Sequence, residues 1–154
     1  VTHCTLGKIT DKGITDTNNM GAAMAPAAYA TLTAHFQDTG REPDYYDLIV
    51  TGDLGKLGRE LLLELFRQDG VDLSTNHNDC GLMIFDLENQ DVHCGGSGSA
   101  APLGAHRLSA QRDAGGPLEK YPFLPTGALH SPTSAFQGES VPGICHAIAI
   151  SAVK

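Results

Sequence analysis

The sequence predicts an α/β fold with a mixed, mostly parallel five-stranded sheet covered by helices. Three observations predict it. Tyr46 to Thr51 (YDLIVT) is a short run of apolar and β-branched residues bounded by turn formers, the signature of a buried strand. Arg59 to Gln68 (RELLLELFRQ) places Leu61, Leu62, Leu65 and Phe66 on one helical face. Segments of these two kinds alternate along the chain, and that alternation is how crossover connections build parallel sheets.

Taken in order, Cys4 to Thr10 (CTLGKIT) reads as an edge or half-buried strand closed by the Lys12-Gly13 turn. Pro26 to Gln37 reads as a small-residue helix, with Pro26 in its first turn, where a missing N–H is harmless. Asp38-Thr39-Gly40 ends it. After the strand at Tyr46 to Thr51, Gly52-Asp53-Leu54-Gly55 is a tight turn, and Gly70 stops the helix that follows. Asp72 to Asp79 reads as polar loop, and Leu82 to Phe85 as a short apolar strand or buried connector. Gln90 to Ser99 is a Gly-rich turn leading into a helix over Ala100 to Gln111, and Arg112 to Pro117 is a break. Tyr121 to Thr126 reads as a strand pushed toward an edge by Pro122 and Pro125. Ser131 to Gly143 is a long polar loop, and Cys145 to Val153 (CHAIAISAV) is the last strand. No repeat or internal linker interrupts the 154 residues, so one domain is expected.

Composition narrows the function. Hydrophobic residues make up 41%, too many for a disordered tail. The formal charge of −8 argues against nucleic acid, which requires a basic face. No apolar run is long enough to span a bilayer, and Val1 to Thr10 has no signal-peptide pattern. Cys4, Cys80, Cys94 and Cys145 are few and widely spaced, which suggests free thiols in a reducing compartment.

Chemistry in such a sheet is expected at the carboxyl ends of the strands. Three segments qualify: Gly52-Asp53-Leu54-Gly55, His93-Cys94-Gly95-Gly96-Ser97-Gly98, and Thr126-Gly127-Ala128-Leu129. Gly95, Gly96, Ser97 and Gly98 would let backbone approach a ligand and offer helix-start N–H groups to an anion. The alternative is a close packing turn, and neither a P-loop nor a dinucleotide fingerprint is present. His93 suits a hydrogen bond to a carboxylate or acid–base work, or else a cap or core position. Asp53 suits a cation or the orientation of His93, or simply caps the next helix. His-Cys neighbours such as His93-Cys94 and Cys145-His146 point to opposite faces of a strand, which disfavours zinc, and no EF-hand loop is present. Cys80 follows an acidic residue and Ser97 lacks a nucleophile elbow, so neither reads as a nucleophile.

A set of segments running in order over nearly the whole chain resembles the stage V sporulation protein AD family. They are Gly13-Ile14-Thr15-Asp16, Asn18 to Ala28 (NNMGAAMAPAA), Thr51 to Gly55, Asp79-Cys80-Gly81, Gln90-Asp91-Val92-His93 with Gly95 to Gly98, Thr126 to Leu129 with Ser131-Pro132-Thr133, and Gln137 to Ser140 with Pro142-Gly143-Ile144. The resemblance covers the second half of that family's chain and implies the C-terminal lobe of a thiolase-like fold. It implies binding of dipicolinic acid, free or calcium-chelated, in support of its uptake into bacterial spores. It also implies work with other SpoVA proteins, peripherally at the spore inner membrane of the developing spore. On this resemblance the binding residues are His93, Gly95, Gly96, Ser97, Gly98, Asp53 and Gly127, with no cofactor and no resident metal. The alternative is a thiolase-like acyltransferase (condensing enzyme) lobe. Two features argue against it: the nucleophilic Cys of condensing relatives belongs to the absent first lobe, and Asp53 stands where some of them carry a catalytic His. A lone second lobe would expose the surface meant for the first, so a second lobe or a homodimer is expected to cover it.

Overall fold

The computed structural model describes residues 1–90 and 118–151. Five strands form the main sheet in the order β1-β7-β4-β2-β3. They are β1 (His3–Thr5), β2 (Ile49–Thr51), β3 (His77–Asp79), β4 (Lys120–Leu124) and β7 (Ala147–Ser151). β2 pairs in parallel with β3 and with β4, while β7 runs antiparallel to β4 and to β1. Four of the five strands therefore share one direction, which gives the expected mixed, mostly parallel sheet. β5 (Thr126–Ala128) and β6 (Gly143–Cys145) make a separate antiparallel ribbon. Helices α1 (Met20–Thr39) and α2 (Gly55–Gln68) pack together over the main sheet, and α3 (Cys80–Ile84) and α4 (Pro132–Phe136) are short.

Helix α1 begins well before the predicted start. Asn19 Oδ1 accepts the Ala22 N–H at 3.1 Å and caps it there, so Pro26 lies inside the helix rather than in its first turn. An interior proline costs about 3 kcal/mol. Burial of Ala23, Met24, Ala25, Ala27, Ala28 and Leu32 against the sheet offsets it. Gly40 closes the helix in the left-handed region, as the sequence suggests. In α2 the wholly buried Leu62 and the buried Phe66 carry the core contact with Ile49, Leu73 and Leu124. Gly55 starts that helix at φ 66°, a conformation that favours glycine and explains the tight turn before it.

Other boundaries move for identifiable reasons. The first strand stops at Thr5, and only Thr10 rejoins a ladder, opposite Gly143. Pro43 starts a 3-10 turn (Pro43–Tyr45), which leaves only Ile49–Thr51 of the predicted strand. The polar segment 72–79 is not all loop: His77-Asn78-Asp79 is strand β3, with His77 and Asp79 buried for hydrogen bonding rather than apolar packing. The Leu82 to Phe85 run is helix α3 instead of strand, because the Asp79 side chain caps it at Gly81. Pro122 does not force β4 to an edge. The ladder to β2 begins at Phe123, so the missing donor falls just outside it. The predicted loop 131–143 contains α4, capped by Ser131. The predicted last strand is divided at His146, whose N–H turns to the Pro125 carbonyl at 3.2 Å. The turn at Gln90 to Ser99, the helix at Ala100 to Gln111 and the break at Arg112 to Pro117 extend into residues outside those described.

Buried polar side chains stitch these elements together. His35, fully buried on α1, lies 2.8 Å from Thr5 Oγ1 of β1 and 2.7 Å from the Tyr46 hydroxyl. The outer border of β3 is closed by its own neighbours. The Ile49 N–H reaches Asn76 O, so alternation turns the backbone groups of His77 and Asp79 outward. Arg59 Nη2 donates to the His77 carbonyl at 2.9 Å, and Asn78 Oδ1 accepts the Asp79 N–H at 2.8 Å.

Candidate functional site at the carboxyl ends of the strands

β2, β3 and β4 end together, and their following loops form one end of the sheet. Its anchor is Asp79. One carboxylate oxygen accepts from the Thr51 hydroxyl (2.6 Å) and the Leu54 N–H (2.9 Å), the other from the Gly55 and Gly81 N–H groups (3.0 Å each). A single buried side chain thus caps both α2 and α3 and pins the 52–55 turn to β3. Burial pushes this carboxyl up, and the four donated bonds pull against it. An internal carboxylate therefore takes the Leu54 and Gly55 N–H groups at the start of α2 that could otherwise meet an external anion.

Thr51 also meets His77 Nε2, at 3.2 Å. The Thr51 hydrogen is committed to Asp79, so the imidazole donates from Nε2 to Thr51. His77 Nδ1, buried, has no hydrogen-bond partner among the described residues. Burial first, and then the Arg59 charge, push this histidine down to about 3. A consequence follows for acid stability. The unfolded imidazole takes up a proton near its ordinary value of about 6.5 and the folded one does not, so stability falls as pH drops from there toward about 3, by up to about 1.4 kcal/mol per pH unit. Urea unfolding at pH 7, 6, 5 and 4 is expected to show a steeper loss for the wild type than for His77→Gln. Equal slopes would contradict the assignment.

Two of the predicted binding residues are brought to one place. The Asp53 N–H donates to Thr126 Oγ1 at 3.1 Å, joining the loop after β2 to the start of β5, with Gly127 next in the chain. A Cβ on Gly127 would sit 3.6 Å from Ile144, an ordinary contact, so no close approach among the described residues requires glycine there. His93, Gly95, Gly96, Ser97 and Gly98, with Cys94, lie outside the described residues. The sequence reading missed Asp79, which entered there as the end of a polar loop and as the acidic residue before Cys80. The signal was available: an Asp followed by small residues at the head of an apolar run is a helix cap.

Two buried thiols, Cys80 and Cys145, lie near this end. Cys80 is pushed up to about 12 by burial and by the Asp79 and Asp53 charges. Cys145 is likewise pushed up to about 12 by burial. Cys4 is a free and exposed thiol at the far strand. Among the described residues no three His, Cys, Asp or Glu side chains converge on a common point for a metal ion. No described helix is long and apolar enough to cross a membrane.

Fold and site together define an α/β protein with a mixed five-stranded sheet, in which the loops after β2 and β4 meet at one end. Comparison with known proteins adds the particular kind. The family model for Stage V sporulation protein AD (SpoVAD) matches residues 1–151. Stage V sporulation protein AD of Bacillus subtilis (strain 168) is 43% identical over 151 residues, covering 96% of this chain and 44% of that protein. The chain belongs to the SpoVAD family of sporulation proteins and spans less than half the length of this curated relative.

Proposed function

We propose that this chain is a non-enzymatic binding lobe for dipicolinic acid, free or calcium-chelated, and that it supports uptake of that compound into spores. The observation that carries the reading is the convergence of Asp53 and Thr126-Gly127 at the carboxyl end of the sheet, in a chain that belongs to a sporulation family. A small planar dicarboxylate suits such a mouth, where backbone and one or two polar side chains face the anion. His93 and the Gly95-Gly96-Ser97-Gly98 backbone would hold one carboxylate, and Asp53 would bridge through calcium. Cys80 and Cys145, held near 12, supply little thiolate at neutral pH, so neither suits the role of an acyl-accepting nucleophile. In this reading the chain is the C-terminal lobe of a thiolase-like fold. It is completed by a second lobe or a second copy, and it works with other SpoVA proteins peripherally at the spore inner membrane.

Isothermal titration with dipicolinate, with and without calcium, is the test. A saturable heat is expected, stronger with calcium in the wild type and losing that gain in Asp53→Asn. No heat at millimolar ligand overturns the reading for this chain. A mass increase after incubation with an acyl-coenzyme A would replace it with the acyltransferase alternative.

A further inference from the structure

We infer that His146 is a ligand-binding residue of this same end of the sheet, presenting its ring Nε2–H to a carboxylate of the ligand. The inference rests on the dipicolinate reading and adds a residue to it. The placement comes from backbone pairing. The His146 N–H bonds Pro125 O at 3.2 Å, and its neighbour Cys145 pairs with Thr126, the residue whose hydroxyl accepts the Asp53 N–H. His146 thus sits at the junction of β6 and β7, level with the carboxyl end of β4. Cys145 is wholly buried there, while His146 is only half-buried.

The ring is held in a defined state. His146 Nδ1 accepts the Gly7 N–H at 3.1 Å, so in the neutral ring the hydrogen is on Nε2. Gly7 can come this close because it lacks a side chain. A Cβ there would lie 1.7 Å from Cys145 O and 2.3 Å from Thr31 Oγ1. The segment after β1 therefore fixes the tautomer of a histidine far away in sequence. A donor oriented in advance in this way binds a carboxylate without first being ordered.

Two variants separate the binding role from the packing role. In His146→Asn, Oδ1 can still accept from Gly7 but the outer donor is lost. In His146→Gln, the side-chain amide restores a donor near the Nε2 position. Calorimetric titration with dipicolinate is expected to show Asn weakened about tenfold or more, at a wild-type thermal midpoint, and Gln within about threefold of wild type, at a midpoint lowered by the loss of the Gly7 bond. Nitrogen-15 spectra of the wild-type ring are expected to show a protonated Nε2 whose resonance moves on adding dipicolinate. Wild-type affinity in the Asn variant, or a ring resonance unmoved at saturating ligand, overturns the role of His146 and leaves the dipicolinate reading standing. A wild type that gives no heat at all removes that reading and this residue's role with it.

Discussion

Asp79→Ala is expected to remove a large part of the fold's stability. Four donors lose their acceptor in one step: the Thr51 hydroxyl and the N–H groups of Leu54, Gly55 and Gly81. Each buried donor left unpaired costs about 1–3 kcal/mol, so the loss is at least about 4 kcal/mol. A domain of this size has only about 5–15 kcal/mol in total. Asp79→Asn is expected to lose less, about 1–3 kcal/mol. Turned one way, its NH2 faces the Gly55 and Gly81 N–H groups; turned the other, it faces the Leu54 N–H and the Thr51 hydroxyl, which can rotate to accept, so at least one backbone donor is left without an acceptor. Urea midpoints of the two variants check this. A midpoint within 0.5 kcal/mol of wild type, on the order of an ordinary surface change, would show that the carboxylate does not hold these loops.

Gly7→Ala is the second substitution with a large expected effect. The added carbon would overlap the Cys145 carbonyl and the Thr31 hydroxyl that donates to it at 3.0 Å. Backbone cannot yield as a flexible side chain can, so the segment after β1 must lift away, losing the Gly7–His146 bond as well. A loss of about 3 kcal/mol or more is expected, against a few tenths for Gly127→Ala, whose nearest neighbour would be at ordinary contact distance. Thermal midpoints measured side by side distinguish a steric requirement at Gly7 from a general sensitivity of the fold to glycine replacement. Equal midpoints for the two variants would refute it.

These two positions also mark what the sequence could and could not disclose. The alternation of apolar strand and amphipathic helix was legible at Ile49–Thr51 and at Arg59–Gln68, because burial there is a matter of oily side chains at fixed spacing, although the helix itself starts four residues earlier, at Gly55. β3 was not legible, because His77-Asn78-Asp79 is buried through hydrogen bonds that only the partner elements reveal. Its capping of α3 was local and readable, and it also decides the helix or strand choice for the apolar run behind it. Asp53 and Gly127 were legible as the ends of strands, but their junction through Thr126 spans 73 residues and needed the fold. His146 appeared in the sequence only as a poor metal ligand, since the group that orders its ring lies 139 residues away.

The closed outer border of β3 has a consequence for assembly. Arg59 and the Asn78 amide already occupy the backbone groups that an incoming strand would need. Lengthening the sheet is thereby confined, among the described residues, to the β1 flank, where His3 and Cys4 stand in solvent. Open-ended stacking into fibres requires two receptive flanks, and the described residues offer one.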